Sequence, residues 1–222
     1  LDIFNHRMIS LFYQAWEKYR FVIAYERGER DRFSGHLMDL VGLGTEGLQN
    51  RQAARDDSIR FYSGLLSLTP RSEAGLKQLL ADYFGIRVEV EQFVGSWHAL
   101  DTDTQCFVGT GEDYSVQLGV GAVVGDEIWD QQSGVRVVLG PLSARQYVDF
   151  LPNGTANAPL RDLIRFFTRD EFDVEVQLVL KREDAPACEL GGEGEAGPQL
   201  GWVTWLKSAP LQRDPGDTIL RM

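Results

Sequence analysis

Phe4, Met8, Leu11, Ala15, Tyr19 and Val22 recur at steps of three and four, the spacing of one face of an α-helix. Phe12, Trp16 and Ile23 widen that face, and Ile9, Tyr13 and Phe21 add apolar surface beyond it. A helix this apolar exceeds what one small core can cover. The pattern therefore predicts a helical bundle, either internal or shared with another chain. The charged run that starts at Glu26 ends the helix, with Gly28 as its stop. A short helix is predicted over 32–40, with Phe33, Leu37 and Leu40 on one side. Another is predicted over 59–68, closed by Pro70.

The pattern then changes. Ser72 is a good N-cap for a helix whose buried stripe is Leu76, Leu79, Leu80 and Tyr83, and Gly85 stops it. Ile86, Val88 and Val90 alternate with Arg87, Glu89 and Glu91, the signature of a half-buried strand. A similar unit returns later. Asn157 caps a helix with Leu160, Leu163, Ile164 and Phe167 facing in, and Phe172, Val174, Val176 and Leu178 then alternate with polar residues. The two α-β units suggest an internal duplication, although short Val-x-Val strands are common enough to arise by chance. Between them Val135, Val137 and Leu139 form a strand, broken by Gly140 and Pro141. Leu142, Gln146, Tyr147 and Phe150 continue as a short helix ending at Pro152. The expected class is α+β. Residues 1–68 form a helical, bundle-forming region with a loop at 41–57, residues 69–185 a mixed α/β region, and residues 186–222 a Gly-rich loop and C-terminal segment.

Residues 42–47 spell G-x-G-x-x-G. A dinucleotide fingerprint needs a strand before the glycines and a helix after them. Here a helical pattern precedes, and the polar stretch from Gln49 to Asp57 follows. The alternative reading is a glycine-rich loop that carries Leu43, Thr45 and Leu48 outward. The glycines of 119–125 have no Lys-Ser or Lys-Thr after them, which excludes a Walker-type site. An enzyme or nucleotide-binding domain built on these loops is the alternative function.

Catalytic candidates are few. His6, His36 and His98 show no metal-ligand spacing, and G-x-S-x-G is absent. Asp101 with Asp103, Glu112 with Asp113, and Asp126 with Glu127 are carboxylate pairs suited to acid-base chemistry. In a chain with 33 acids, such neighbours are also what solvated loops contain. No catalytic, cofactor-binding or metal residue is assigned. The net charge of −11 argues against a nucleic-acid partner. Cys106 and Cys188 form no C-x-x-C, so a reducing cytosolic setting is the simpler reading, with a disulfide left open. No apolar run is long enough to span a bilayer, and no secretory signal is visible. The chain starts at Leu1, almost inside a helix, which points to a longer polypeptide.

Residues 191–198 are Gly- and Glu-rich and predict a mobile loop. They lead into Leu200, Trp202, Trp205 and Leu206, which either fold back onto the core or anchor a partner.

The ordered segments 1–20, 42–45, 61–66, 71–76, 90–97, 129–132, 140–142 and 200–202 together resemble the type VI secretion baseplate subunit TssG, also called ImpH or VasB. Within them stand Trp16, Tyr19, Phe61, Tyr62, Trp97, Trp129, Gly140, Pro141, Gly201 and Trp202. The likeness covers essentially the whole chain, and the order of the set is more specific than any one tetrapeptide. It implies a structural role in the wedge of a phage tail-like contractile injection machine, without cofactor. It also implies bundling with TssF, contact with TssK through two hook loops, and membership of a wedge that includes TssE. That hetero-oligomeric assembly is cytoplasmic, at the inner face of the inner membrane, without insertion into it. The resemblance assigns Phe4, Met8, Leu11, Phe12, Trp16 and Tyr19 to the bundle. It assigns the hooks to 42–51, with Leu43, Thr45 and Leu48, and to 191–206, with Leu200, Trp202, Trp205 and Leu206.

Overall fold

The computed structural model describes residues 1–27, 31–45, 47–108, 114–187, 199, 201–205, 207 and 209–222. Gly28, Glu112, Asp113, Cys188, the 191–198 loop, Leu200 and Leu206 lie outside the described residues.

The predicted first helix is two helices. α1 (Asp2–Glu17) ends before the charged run, and α2 (Phe21–Glu26) begins after Arg20 leaves helical geometry at φ −117°, ψ 87°. The sequence pattern carries through this break because both helices are apolar. The corner is held by the Arg27 guanidinium, which pairs with Glu17 and donates to the Tyr13 hydroxyl at 3.0 Å, while Arg20 sits over the Trp16 ring. α3 (Arg32–Val41) starts at an Asp31 cap that accepts from the Ser34 N–H at 2.7 Å. Burial raises the Asp31 pKa, but the hydrogen bonds from Ser34 and the Phe33 N–H, with the charge of Arg60, together outweigh it and hold the carboxyl below its usual range. Met38 is the buried residue of α3, whereas Phe33 and Leu40 stay exposed. The face toward the core is therefore rotated from the expected one. The expected 59–68 helix is likewise split, into α4 (Asp56–Phe61) and α5 (Ser63–Leu66), at Tyr62, whose hydroxyl donates to Asp82 at 2.6 Å.

α6 (Glu73–Phe84) follows its sequence pattern. Ser72 accepts from the Gly75 N–H, Leu76, Leu79 and Leu80 are buried, and Gly85 closes the helix at φ 63°. The main sheet has the order β1 (Val88–Gln92), β4 (Gly134–Leu142), β5 (Asp173–Leu180), β6 (Thr218–Arg221). β4 runs antiparallel to β1 and parallel to β5, and β6 is antiparallel to β5. β4 reaches β5 through α7 (Ala144–Phe150) and α8 (Asn157–Thr168), a crossover that lays helices on one face. β4 is not broken at Gly140. The strand passes through a register shift between Leu139 and Leu142, and Gly140 is required because a Cβ there would lie 2.4 Å from the Val179 carbonyl oxygen. Asn157 does not cap α8. It sits in the first turn, and its side chain donates to the Phe150 carbonyl at 3.0 Å, tying α8 to α7.

Val88, Val137, Leu139, Val174, Val176, Leu178 and Leu180 point into the helical layer, where Leu160, Leu163, Ile164 and Phe167 meet them. The same cluster includes Met38, Leu43, Ala54, Ile59 and Leu66, so it crosses the expected boundary at 68–69. The opposite sheet face carries a charge ladder in register across all four strands. Arg136 stands between Glu91 at 3.7 Å and Glu175 at 2.9 Å, and Arg221 reaches Glu175 at 3.4 Å. Exposed pairs of this kind add little stability, but a one-residue slip would set Val-rich faces outward and separate them. The two similar α-β units place β1 and β5 on either side of β4, running in opposite directions.

Candidate functional site

α1 contributes no buried residue. Phe4, Met8, Leu11, Phe12, Trp16 and Tyr19 are all exposed, Phe12 at 76%, and Ile3, Ile9 and Tyr13 extend the apolar surface around the helix. An apolar area this continuous marks an interaction surface. Among the described residues, the side-chain contacts that hold α1 are at its C-terminal end, through Glu17, Tyr13 and Trp16 at the α2 corner.

Within the G-x-G-x-x-G stretch, Gly42 is a helix stop, and Leu43 and Gly44 pack back against the fold. Gly42 takes φ 90° after α3, its N–H bonds to the Asp39 carbonyl, and the Leu43 N–H bonds to the Met38 carbonyl at 2.8 Å. A helix precedes the glycines, where a dinucleotide site needs a strand. Gly44 lies against Asp39, since a Cβ there would be 1.7 Å from its carboxylate oxygen. Leu43 does not face outward: it is 8% exposed and belongs to the core, because the loop folds back at Gly44. Thr45 and Leu48 do face solvent, Leu48 at 39% exposure. Farther on, the Asn50 N–H bonds to Asp56, the Ala53 N–H bonds to Asp162 of α8, and Ala54 is buried.

Residues 201–205 fold back on the core. Trp202, Val203 and Trp205 are half-buried against it. Tyr147 is the fastening. Its hydroxyl lies 2.9 Å from the Trp202 carbonyl and 2.7 Å from the Thr218 hydroxyl, and its ring packs on Trp205. Burial pushes the Tyr147 pKa up, so the hydroxyl stays a donor. The tryptophans thus join α7 and β6, and their exposed edges remain for contact.

A two-stranded ribbon went unread in the sequence. β2 (Ser96–Ala99) pairs antiparallel with β3 (Glu127–Asp130), setting Trp97 opposite Trp129. Their rings meet edge-on at 5.3 Å, with the two residues 62% and 52% exposed. Four-residue strands are too short for alternation to stand out, and the partner strands are separated by a long connection. The usable signal is two tryptophans in short segments that also carry polar residues, Ser96 and His98 beside Trp97 and Asp130 beside Trp129.

Chemistry for catalysis is sparse. His98 Nε2 lies 2.8 Å from the Ser96 hydroxyl and 3.5 Å from Asp173, and His36 lies 3.6 Å from Asp39. Both pairs are at the surface. Asp126 and Glu127 are exposed, as are Asp101 and Asp103. A cleft of about 640 Å³ opens at the start of α6, lined by the apolar Leu76, Val90, Phe93, Val135, Phe167 and Phe172 and at its polar side by Arg71, Glu73, Arg169 and Glu171. No histidine lines it, and its Glu73 accepts from Gln92. Among the described residues, no group of three or more His, Cys, Asp or Glu is placed to hold a metal, and no helix is long and apolar enough to cross a membrane.

The family model for type VI secretion TssG matches residues 1–207. The chain belongs to the TssG family. Among solved structures, a chain of a type VI secretion TssK-TssF-TssG baseplate subcomplex, determined by cryo-electron microscopy, matches 100% of this TssG-family chain over 92% of its own length. The TM-score is 0.78 and the identity 26%. A chain of a baseplate complex from the type VI secretion system matches 100% of this chain over 61% of its own, with TM-score 0.63 and 24% identity, a likeness of fold. No curated protein is similar enough to count as a match. Type VI secretion, in the baseplate, is thus the setting of this TssG-family chain. β6 lies beyond the matched range, yet it completes the sheet and receives Tyr147.

Proposed function

We propose that this TssG-family chain is a non-enzymatic scaffold subunit of the baseplate wedge. It bundles with TssF through Phe4, Met8, Leu11, Phe12, Trp16 and Tyr19. It docks TssK through two places, the turn at Thr45 and Leu48 and the segment carrying Leu200, Trp202, Trp205 and Leu206. In this reading Leu43 supports its loop from within. TssE shares the same wedge, which assembles at the cytoplasmic face of the inner membrane. One observation carries the reading: α1 has no buried residue, and it exposes Phe4, Met8, Leu11, Phe12 and Trp16. The presence of TssK and TssF beside the TssG chain in the similar subcomplex supports the choice of partners.

Co-expression with the TssF and TssK of the same system tests it. The expected product is a fixed-ratio complex on size exclusion, and elution of this chain free of the co-expressed TssF and TssK overturns the reading. Within that complex, Thr45→Asp with Leu48→Asp should weaken TssK retention about tenfold, since exposed docking contacts of this size carry ~1–2 kcal/mol. TssF retention should not change. Unaltered TssK retention removes the loop at 43–48 from the interface.

A further inference from the structure

Between positions 93 and 135 the sequence holds seven Asp or Glu and no Lys or Arg. The same stretch contains the β2–β3 ribbon and carries a run of exposed apolar side chains. Beyond Trp97 and Trp129, these include Phe107, Leu118, Val120 and Val124. Among the described residues, Asp101, Asp103, Asp126 and Glu127 are exposed at the ribbon's far end, in the same stretch as these apolar side chains. We propose that this ribbon is a docking surface for a protein partner whose own contact face is apolar at its centre and rimmed by Lys and Arg. The inference rests on the scaffold reading and adds an interface outside both expected hooks.

The anchor is preformed. Trp129 is wedged between Trp97 on the paired strand and Gly95, where a Cβ would lie 1.8 Å from the indole. Only glycine at 95 permits that approach. The base of the ribbon is pinned on both sides. The Val94 N–H bonds to the Gly134 carbonyl at 3.0 Å, and the Asp173 N–H bonds to the Ser133 carbonyl at 2.9 Å. Asp130 receives the Gln132 N–H and the Ser133 hydroxyl. At the far end the Leu100 N–H bonds to the Asp126 carbonyl at 2.8 Å, beside a groove of about 700 Å³ lined by Leu100, Phe107, Tyr114, Val116 and Val123. Two fixed tryptophans at a ribbon's surface lose little conformational freedom on binding, which favours affinity.

Charge selects the occupant. A nucleic acid or an anionic bilayer would be repelled by this surface. A second copy of this chain, with net charge −11, would meet like charge. A basic rim around an apolar centre satisfies both the carboxylates and the indoles, and it makes association fast and salt-sensitive.

The test uses the chain within its co-expressed baseplate complex, with two variants. Trp97→Ser with Trp129→Ser removes the anchor. Asp101→Lys, Asp103→Lys, Asp126→Lys and Glu127→Lys together reverse charge at exposed positions and leave the anchor in place. Both are expected to lower retention of the same one subunit at least tenfold while the other subunits stay bound. The wild-type contact should weaken as NaCl rises and the charge-reversed one should not. Full retention of every subunit by the charge-reversed chain overturns the inference, as does loss of wild-type self-association in the tryptophan variant. If the wild-type chain joins no complex at all, it is the scaffold reading that has failed.

Discussion

Phe4→Glu with Phe12→Glu is expected to leave the melting temperature of the isolated chain unchanged and to strip it from its complex. Neither side chain is buried in the chain's own fold, so their loss removes no internal packing. Glutamate is also a good helix former and keeps α1 intact. In the assembly, both aromatics would be desolvated anchors worth ~2 kcal/mol each, and two charges would be forced into an apolar seam. The combined effect is a loss of affinity of about a thousandfold. Pull-down of the variant with co-expressed TssF measures the loss, and a melt of the isolated chain supplies the control. A lowered melting temperature with retained binding would reverse the assignment of α1 from interface to core.

Arg71→Met should produce the opposite pattern, a large loss of stability. The Arg71 guanidinium donates to the Phe167 carbonyl at 2.8 Å, and to the Phe166 and Leu66 carbonyls at 2.5 Å each. These oxygens sit in the last turns of α8 and α5, where no intrahelical N–H is available to them. One side chain thus closes two helices and carries the cation that suits their C-terminal ends. Methionine fills similar volume but leaves three carbonyls without a donor. Unsatisfied buried acceptors cost ~1–3 kcal/mol each, and because the three share one side chain the sum is not additive, so about 3 kcal/mol is expected. For a chain of this size that lowers the melting temperature by roughly 6–12 °C. Arg71→Lys should recover only part of it, since one ammonium cannot span the three positions that the planar fork reaches. Thermal melts monitored by circular dichroism give the comparison. A change within about 2 °C for methionine would show that the three carbonyls find other donors.

The helices and strands that depend on strong periodicity were legible in the sequence. Ser72, Leu76, Leu79 and Gly85 define α6, and Val174, Val176 and Leu178 define β5, because a single buried face imposes one period on each. Boundaries set by local backbone geometry were not. The break at Arg20 falls inside an uninterrupted apolar pattern, and Tyr62 divides a run that reads as one helix. Gly140 looks like a stop but serves a bulge, a distinction made by the neighbouring Val179 carbonyl in another strand. At the candidate site, the excess apolarity of α1 was readable because it concerns quantity, independent of tertiary detail. The orientation of Leu43 was not, since it follows from Gly44 closing on Asp39. Nor was the Trp97–Trp129 pair, which needs two strands some thirty residues apart to be set in register.

The central claim is that α1 is incomplete alone and is covered by a partner. Hydrogen exchange of the amides of residues 2–17, in the isolated chain and in the reconstituted complex, tests it directly. A helix with no buried side chain opens readily, so fast exchange is expected in isolation, and protection should rise by orders of magnitude when partner helices cover Phe4, Met8, Leu11, Phe12 and Trp16. Equal exchange in the two states would contradict the claim and leave α1 without the partner its sequence calls for.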